Sequence, residues 1–220
     1  SVLEALYSTP AGKNTIVIVL ADRGDGMGSH RMVTKQVSFY EEMTNVPFII
    51  AGPGIHPRQK PVEDLLTQPT IDLLPTLCEL AGIPVPSSKP GISLAPFLKG
   101  EKQKRQHPYA ASEWHSEYEV TVSPGRMIRS PRYKYTHYLE GNGEELYDML
   151  KDKGERRNLA HDPKYSKILA EHRALLDDYI RRTQDDYRSL KVEADKRWRS
   201  HAPGYPNHEG PCARDIINRK

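Results

Sequence analysis

Two short apolar runs in the first quarter of the chain predict buried β-strands. Residues 15–20 read TIVIVL and residues 48–51 read FIIA, and neither run alternates with polar positions. Such runs are typical of strands covered on both faces in a parallel sheet, because a strand with one wet face alternates apolar and polar side chains. The connection between the two strands, residues 22–46, is long for a loop and is therefore expected to have a function of its own.

Three segments show the spacing of helices. Residues 2–7 have the pattern of the last turns of an amphipathic helix, which suggests a piece of a longer chain. Residues 69–80 repeat leucine at helical spacing and end at Gly82, a residue suited to a left-handed helix stop. A longer helix opens at Asp162-Pro163 and keeps its apolar residues on one stripe.

The pattern changes after residue 109 to short strands separated by turns. Residues 126–129, 133–138 and 145–147 have strand character, and the first two flank a turn at Ser130-Pro131-Arg132. The sequence therefore predicts an α/β protein with a mostly parallel sheet and flanking helices, a small antiparallel sheet and a long C-terminal helix. The predicted divisions are 1–105 for the α/β portion, 106–198 for the small sheet with its helix, and 199–220 for a surface tail.

Charge and composition argue against two classes of protein. The 32 basic and 29 acidic residues give a net charge of +3 and are spread along the chain, without the basic stripe of a nucleic-acid-binding protein. The longest apolar run, residues 16–21, is far shorter than the roughly 20 residues of a membrane span. Cys78 lies in an apolar run and is expected to be a buried thiol, and the two cysteines define no disulfide framework.

The long connection holds the candidate chemistry. Asp22 directly follows the first predicted strand, and ligands of parallel α/β sheets gather at the carboxyl ends of strands. His30 and Lys35 lie in the same glycine-rich loop and offer a proton carrier and a fixed positive charge. The alternatives are structural: Asp22 as the cap of a turn, Lys35 as a solvated lysine and His30 as a hydrogen-bonding partner of its own loop.

The loop and the segments after it carry a family resemblance. The string ADRGDGMGSHRMVTKQVSFYEEMTNVPFIIAGPGI resembles the sulfatase segment in which SDHGD, GEHG, a lysine, YEE, a V-P-L-I strand and GPG follow in order. TIDLLPTLCELAGIPVP, GISLAPFLKG, RYKYTHY and ELYDMLKDKGERRNLAHDP are similar to further landmarks of that family in the same order. The resemblance covers about residues 1–185, and it identifies the C-terminal half of a sulfatase of the alkaline-phosphatase-like superfamily.

The resemblance implies roles for the loop residues. Asp22 would bind the active-site Ca²⁺, Lys35 would contact a sulfate oxygen, and His30 matches the GEHG histidine. Arg23 departs from the family, which has His or Asn there as a second metal ligand, because a protonated guanidinium has no lone pair to donate. Whether this chain binds the metal, and whether it is an enzyme, is thus left open by the sequence.

The resemblance also implies parts that these residues do not show. Family members carry a Cys-x-Pro-Ser-Arg motif, or a Ser equivalent, whose cysteine becomes the formylglycine nucleophile, and neither Cys78 nor Cys212 has those neighbours. The nucleophile is therefore expected upstream, and the chain alone is expected to be inactive and to need the missing N-terminal half or another chain. A secreted, periplasmic or lysosomal location is implied in the same way.

A weaker similarity concerns the substrate. The string SEWHSEYEVTVSPGRMIR loosely resembles the part of glycosaminoglycan sulfatases, sulfamidases included, that borders the substrate cleft. His115, Arg126 and Arg129 are therefore candidate contacts to a sulfated sugar, with a structural or surface role as the alternative. The expected function is hydrolysis of sulfate esters, or of N-sulfate, on a sugar or glycosaminoglycan. The competing hypotheses are a non-catalytic sulfatase-like binding protein and a phosphate or phosphonate ester hydrolase of the same superfamily.

Overall fold

A computed structural model describes residues 1–32, 38–63, 65–87, 90–103, 107–114, 124–139 and 143–189. The helices and strands in chain order are α1 Val2–Tyr7, β1 Val17–Leu20, α2 Glu41–Thr44, β2 Phe48–Ala51, α3 Pro69–Ala81, α4 Ala95–Leu98, β3 Ala110–Trp114, β4 Gly125–Arg129, β5 Tyr133–Tyr138, β6 Glu144–Asp148 and α5 Ser166–Thr183. They form two compact units.

The two units divide the chain differently from the predicted boundaries. The first unit comprises Ser1–Arg23 with Asn45–Ala110, and the second comprises Gly24–Thr44 with the chain from Ala111 onward. Segment 24–44, which the sequence pattern groups with the α/β portion, is thus part of the second unit. Its apolar side chains explain this, because Met32, Tyr40 and Met43 form one buried cluster with Tyr147 and Met149. The predicted tail, residues 199–220, lies outside the described residues.

In the first unit, β1 and β2 pair with each other as an antiparallel ribbon. Val17 lies opposite Ala51, and Leu20 lies opposite Phe48. Strands form where the two apolar runs predict them, but the expected parallel neighbours and full coverage of both faces are not found in this pair. Val19 is 48% exposed and Ile49 is 57% exposed. An apolar run indicates that a strand is buried, but it does not indicate the direction of the neighbouring strand. The antiparallel pairing could therefore not be predicted from the run.

Helix α3 forms where it was predicted and ends as predicted. Pro69 occupies the first turn, where a missing N–H costs nothing, and Gly82 ends the helix in the left-handed conformation. The buried face differs from the leucine stripe, however. Asp72, Pro75, Thr76 and Cys78 are buried, whereas Leu74 and Leu77 are 43% and 38% exposed. Cys78 is a free buried thiol, as predicted.

The polar face of α3 is buried because Asp72 and Thr76 make hydrogen bonds to later parts of the chain. Their partners include Ile92, Leu94 and His107. The fully buried carboxylate of Asp72 accepts hydrogen bonds from the backbone N–H groups of Gln68 and Ile92, each at 2.8 Å. His107 Nε2 lies 2.8 and 3.0 Å from its two oxygens. The Thr76 hydroxyl donates to the Asp72 carbonyl and accepts from Leu94 N–H. A buried carboxylate is stable only when it is paired in this way.

The second unit is built on a four-stranded sheet in the order β3-β4-β5-β6. Strands β4 and β5 pair antiparallel with Met127 opposite Thr136, and β5 and β6 pair antiparallel with Tyr135 opposite Leu146. This confirms the small antiparallel sheet predicted from the run of short strands. Adjacent residues of a strand point to opposite faces, so the sheet presents two different sides.

Helix α5 covers one side of the sheet. Its buried residues are Leu169, His172 and Leu176, at the spacing of a helix face. His172 stacks edge-on against Tyr133, and its Nε2 lies 2.8 Å from the Ser130 hydroxyl. These contacts confirm the long C-terminal helix predicted from residue 162 onward.

The chain after α5 is fastened to the same sheet. Arg126 on β4 forms a two-pronged ion pair with Asp185, with Nε–Oδ2 at 2.6 Å and Nη2–Oδ1 at 2.9 Å. Its guanidinium lies over the ring of the fully buried Tyr187, 4.5 Å from the ring centre. The Tyr187 hydroxyl lies 2.7 Å from His137 Nδ1 on β5.

Segment 38–44 covers the other side of the sheet. The ring of Phe39 packs against Tyr138 at 5.9 Å, and the ring of Tyr40 packs against Tyr147 at 6.5 Å. These contacts together with those of α5 show that both faces of the sheet are packed. Among the described helices, none has the length and apolar character to cross a membrane.

Replacing Asp72 with alanine is expected to destabilise the protein by about 2–4 kcal/mol. The change leaves the N–H groups of Gln68 and Ile92 and the His107 ring without their buried acceptor. Denaturant unfolding of the full-length protein measures the loss. Glu79→Ala, at an exposed position of the same helix, is the control and should stay within about 0.5 kcal/mol of the unmodified protein. Equal losses in the two variants would contradict the assigned role of Asp72.

Acidification is expected to weaken the packing of α5 through His172. Burial lowers the pKa of His172, so the folded state favours the neutral ring. The contribution to stability is fully present above the ordinary histidine pKa, about 6.5, and is lost as the pH falls through the lower pKa of the folded state. Thermal midpoints of the protein and of His172→Gln, measured from pH 7.5 to pH 5, test this. The midpoint should fall more steeply with acid in the unmodified protein, and parallel curves would refute the assignment.

Candidate functional site

Asp22 lies at the end of β1, in the first unit. It follows the strand by two positions, and both Asp22 and Arg23 are exposed. The Asp22 Oδ1 accepts a hydrogen bond from the N–H of Arg23 at 2.9 Å. The strand end thus presents an accessible carboxylate, as the sequence predicts, and the same carboxylate also caps its own turn.

His30 lies in the second unit, in a tightly folded loop. Its backbone has the left-handed conformation, with φ of +49°. Its ring lies flat on the ring of Tyr40, with centres 3.7 Å apart and planes within 2° of parallel. The Nε2 atom lies 3.8 Å from Glu42 Oε2, an electrostatic contact longer than a hydrogen bond. Tyr40 and Glu42 therefore fix the plane and one edge of the imidazole.

The close approach of two parts of the loop requires a glycine. The N–H of Gly24 donates to the Met43 carbonyl at 3.0 Å. A Cβ atom at residue 24 would lie 1.7 Å from the carbonyl oxygen of Glu42. The lack of a side chain at Gly24 therefore lets the start of the loop lie against α2.

A cluster of charged side chains lies under the loop, and we call it the Lys134 cluster: Glu41, Glu42, Arg129, Lys134 and Glu155. The Lys134 ammonium is 2.7 Å from Glu41 Oε1 and 2.9 Å from Glu155 Oε1. Arg129 Nε lies 4.0 Å from the same Glu41 oxygen. Lys134 and Glu155 have side chains only 1% exposed, so the cluster has a buried centre.

Burial and charge act in opposite directions on Glu155. Burial raises the pKa of Glu155, and the Lys134 ammonium and the Glu41 N–H oppose that rise by stabilising the carboxylate. Burial also lowers the pKa of Arg129, an effect that the nearby Glu41 and Glu155 carboxylates oppose. The cluster thus holds its charges through mutual pairing in place of water.

Three side chains of this region have donor atoms close enough to hold a metal ion. One ligand atom each from His30, Glu42 and Glu155 lies within 4.8 Å of the others, the one such group of three in the described part of the chain. The Lys134 ammonium is 2.9 Å from Glu155 and already supplies a positive charge there. The geometry therefore fits a cluster of paired charges better than a cation site.

The other predicted site residues fall into three groups. Arg129 is partly buried beside Glu41, within the Lys134 cluster. Arg126 is 3% exposed, and its guanidinium is engaged by Asp185, by the Trp114 carbonyl and by the ring of Tyr187, which favours the structural alternative for this residue. Lys35 and His115 lie outside the described residues.

Lys134 and Glu155 were not among the site residues predicted from the sequence. A lysine inside the strand RYKYTHY, between tyrosines, was a usable signal, because a buried lysine needs acidic partners. Glu155 gave no comparable signal, since it lies in a charged stretch that is typical of surface chain. Glu41 and Glu42 are adjacent in the sequence, but their carboxylates contact different partners, Lys134 and His30.

Comparison with known proteins identifies the family. The family described as N-sulphoglucosamine sulphohydrolase, C-terminal, matches residues 28–182. A Delta 4,5-hexuronate-2-O-sulfatase of Bacteroides thetaiotaomicron is 76% identical over 220 residues, which is 100% of this chain and 46% of the relative. The chain therefore spans about half the length of that relative.

Solved structures agree with the sequence comparison. The structure of a 2-O GAG sulfatase is 77% identical and superposes with a TM-score of 0.87 over 98% of this chain and 46% of its own. A second structure, in complex with its substrate D-glucosamine-2-N,6-O-disulfate, is 26% identical with a TM-score of 0.71 over 89% of this chain and 38% of its own. These neighbours have the alkaline-phosphatase-like fold predicted from the sequence, and the chain belongs to the sulfatase family, matching its C-terminal part.

Proposed function

We propose that the full-length protein is a sulfatase that removes the 2-O-sulfate from an unsaturated hexuronate sugar of glycosaminoglycan origin. The observation that carries this proposal is the 76% identity, along the whole chain, to a Delta 4,5-hexuronate-2-O-sulfatase. The reaction is hydrolysis: water reacts with the sulfate ester and gives a free sugar hydroxyl, inorganic sulfate and a proton. The sulfated sugar is therefore the proposed partner of the site.

Asp22 is the proposed metal ligand of this chain, and Ca²⁺ is the proposed metal. An exposed carboxylate at a strand end suits a hard cation, which prefers oxygen ligands. The fit is partial, because Arg23 has no lone pair to offer and Asp22 is in no group of three possible ligands within the described ranges. The remaining ligands and the formylglycine implied by the family would come from other residues. Bound Ca²⁺ would neutralise charge on the sulfate oxygens.

His30 and Lys35 are the proposed catalytic side chains, and Arg129 and His115 the proposed sugar contacts. For His30 the support is its fixed ring, held by Tyr40 on one face and by Glu42 on one edge. For Arg129 the support is its partly exposed guanidinium within the Lys134 cluster. Arg126 is less suited to this role, because its pair with Asp185 occupies both prongs of the guanidinium.

The exposed side of the β1–β2 ribbon supports a covering partner. Val19 and Ile49 are both about half exposed, and a two-stranded ribbon is marginal without further packing. We propose that the ribbon is covered by the remaining length that the relatives have, or by another chain. The expected secreted, periplasmic or lysosomal location remains a prediction.

The substrate proposal is tested with a panel of pure disaccharides. The full-length protein should release sulfate from an unsaturated hexuronate carrying only a 2-O-sulfate. It should prefer this ester by at least about 100-fold in kcat/KM over disaccharides sulfated only at the 6-oxygen or the nitrogen of glucosamine, because a site built around one polar group discriminates strongly. Sulfate release is measured by ion chromatography.

The same panel separates the competing hypotheses. Preference for the N-sulfate would assign a sulfamidase in place of the 2-O-sulfatase. Faster turnover of an aryl phosphate or phosphonate ester than of any sulfate ester would assign the other branch of the superfamily. Tight binding of the 2-O-sulfated disaccharide without any turnover would assign a binding protein.

Metal binding by Asp22 is tested without relying on activity. Asp22→Asn should weaken Ca²⁺ binding to the full-length protein by about tenfold or more, because it removes a charged oxygen ligand. Arg23→Asn should strengthen binding, because it exchanges a cation for an oxygen ligand. Calorimetry measures both, and Asp177→Asn, an exposed aspartate of α5, is the matched control. Unchanged Ca²⁺ affinity in Asp22→Asn would remove Asp22 from the metal site.

A further inference from the structure

A single buried lysine, Lys134, holds the backbone of residues 39–41, next to the two side chains that contact His30. Lys134 is the second residue of β5, and its side chain is 1% exposed. Its ammonium donates to the Phe39 carbonyl at 2.8 Å and pairs with Glu41 and Glu155 at 2.7 and 2.9 Å. Two of these three partners belong to residues 39–41.

Glu155 fixes the same backbone from a second direction. Its carboxylate Oε2 accepts the N–H of Glu41 at 2.7 Å, while Oε1 pairs with Lys134. The residue itself is in the left-handed conformation, with φ of +48°, and its side chain is 1% exposed. A buried glutamate in a strained conformation is retained only where the surrounding contacts demand it. Residues 39–41 are thus held by one cation and one anion that water does not reach.

The two residues that contact His30 alternate along the chain with Phe39 and Glu41, which Lys134 and Glu155 hold in place. Tyr40 lies between Phe39 and Glu41, and Glu42 follows Glu41. Tyr40 stacks on the imidazole at 3.7 Å, and Glu42 lies 3.8 Å from its Nε2. A shift of the backbone at residues 39–41 therefore moves both surfaces that orient the ring.

We propose that Lys134 and Glu155 are positioning residues, which act on the imidazole of His30 through Tyr40 and Glu42. The proposal rests on the proposed function only in giving the position of His30 a catalytic meaning. Neither residue needs to touch the substrate. An alternative use of the same atoms, a cation bound by His30, Glu42 and Glu155, would place a second positive charge beside Lys134.

The test uses two variants of the full-length protein. One loses only the cation of the Lys134–Glu155 pair, and the other loses both charges of the pair. Lys134→Met leaves the buried Glu155 and the partly exposed Glu41 without their cation, so it should lower both stability and function. The double variant Lys134→Met with Glu155→Met removes both buried charges, and such apolar replacements often restore stability. A structural role alone predicts that the double variant recovers completely. A positioning role predicts that it recovers its thermal midpoint and stays defective.

Two readouts follow His30 and the reaction separately. With ¹³C-labelled histidine, the ring protons of His30 should show the upfield shift of a stacked ring, assigned by its loss in His30→Gln. Both Lys134 variants should lose that shift. On the 2-O-sulfated disaccharide, kcat should fall by about 10–100-fold with little change in KM, the effect expected when a reacting group is misplaced by about 1 Å.

The control is an ion pair on the opposite face of the same sheet, between the buried Asp148 and the partly exposed Arg132. Asp148 pairs with Arg132 at 2.7 Å. Its neighbour Tyr147 lies opposite Lys134 and points to the same face as Lys134, so Asp148 points to the other face. Asp148→Asn should lower the thermal midpoint while leaving the His30 shift and kcat unchanged.

The outcomes separate the proposal from the proposed function. A double variant with the original His30 shift and the original kcat would overturn the positioning role. Loss of the His30 shift in a protein that hydrolyses no sulfate ester would support the positioning role and reject the sulfatase. Binding of Ca²⁺ or Zn²⁺ that is lost in Glu155→Gln would overturn it in favour of the cation site.

Discussion

A buried ammonium determines how the second unit is assembled. The Lys134 ammonium is buried, and its partners lie on segment 38–44 and at Glu155. Removing any one of these segments would leave an unpaired charge inside the protein, which costs more than a missing apolar contact. The strand, the segment and the turn at Glu155 are therefore stable together and not separately. This makes the loop of His30 part of the sheet's own stability.

Both faces of the small sheet combine apolar packing with directional contacts. Helix α5 packs with Leu169 and Leu176 and adds directional contacts through His172. The opposite face packs with Phe39 and Tyr40 and is fastened by the Lys134 cluster. Apolar packing tolerates small shifts in position, whereas a charge network with 2.7–2.9 Å contacts does not. Both faces are therefore held to a fixed geometry, by Arg126 and Asp185 on the α5 side and by the Lys134 cluster on the other.

Local features were readable from the sequence, and long-range partners were not. The strands, α3 and α5 were predicted because apolar spacing, prolines and glycines act within a few residues. The place of Asp22 at a strand end followed from the run before it. The direction of β1–β2 pairing, the buried polar face of α3 and the contact of Lys134 with Phe39, 95 residues away, depend on the whole chain. The ordered motifs identified the family, because many weak signals in one order are specific together.

Gly24 shows how a residue without a side chain can govern the loop that carries His30. Any side chain there would meet the Glu42 carbonyl at 1.7 Å, so even alanine must displace α2. The ring of Tyr40 and the carboxylate of Glu42 would move with that displacement, and His30 would lose its support. If this glycine is invariant among natural sulfatases, the reason would therefore be the close approach of two backbone segments. A survey of sequence variation would otherwise mistake it for a residue of the reaction itself.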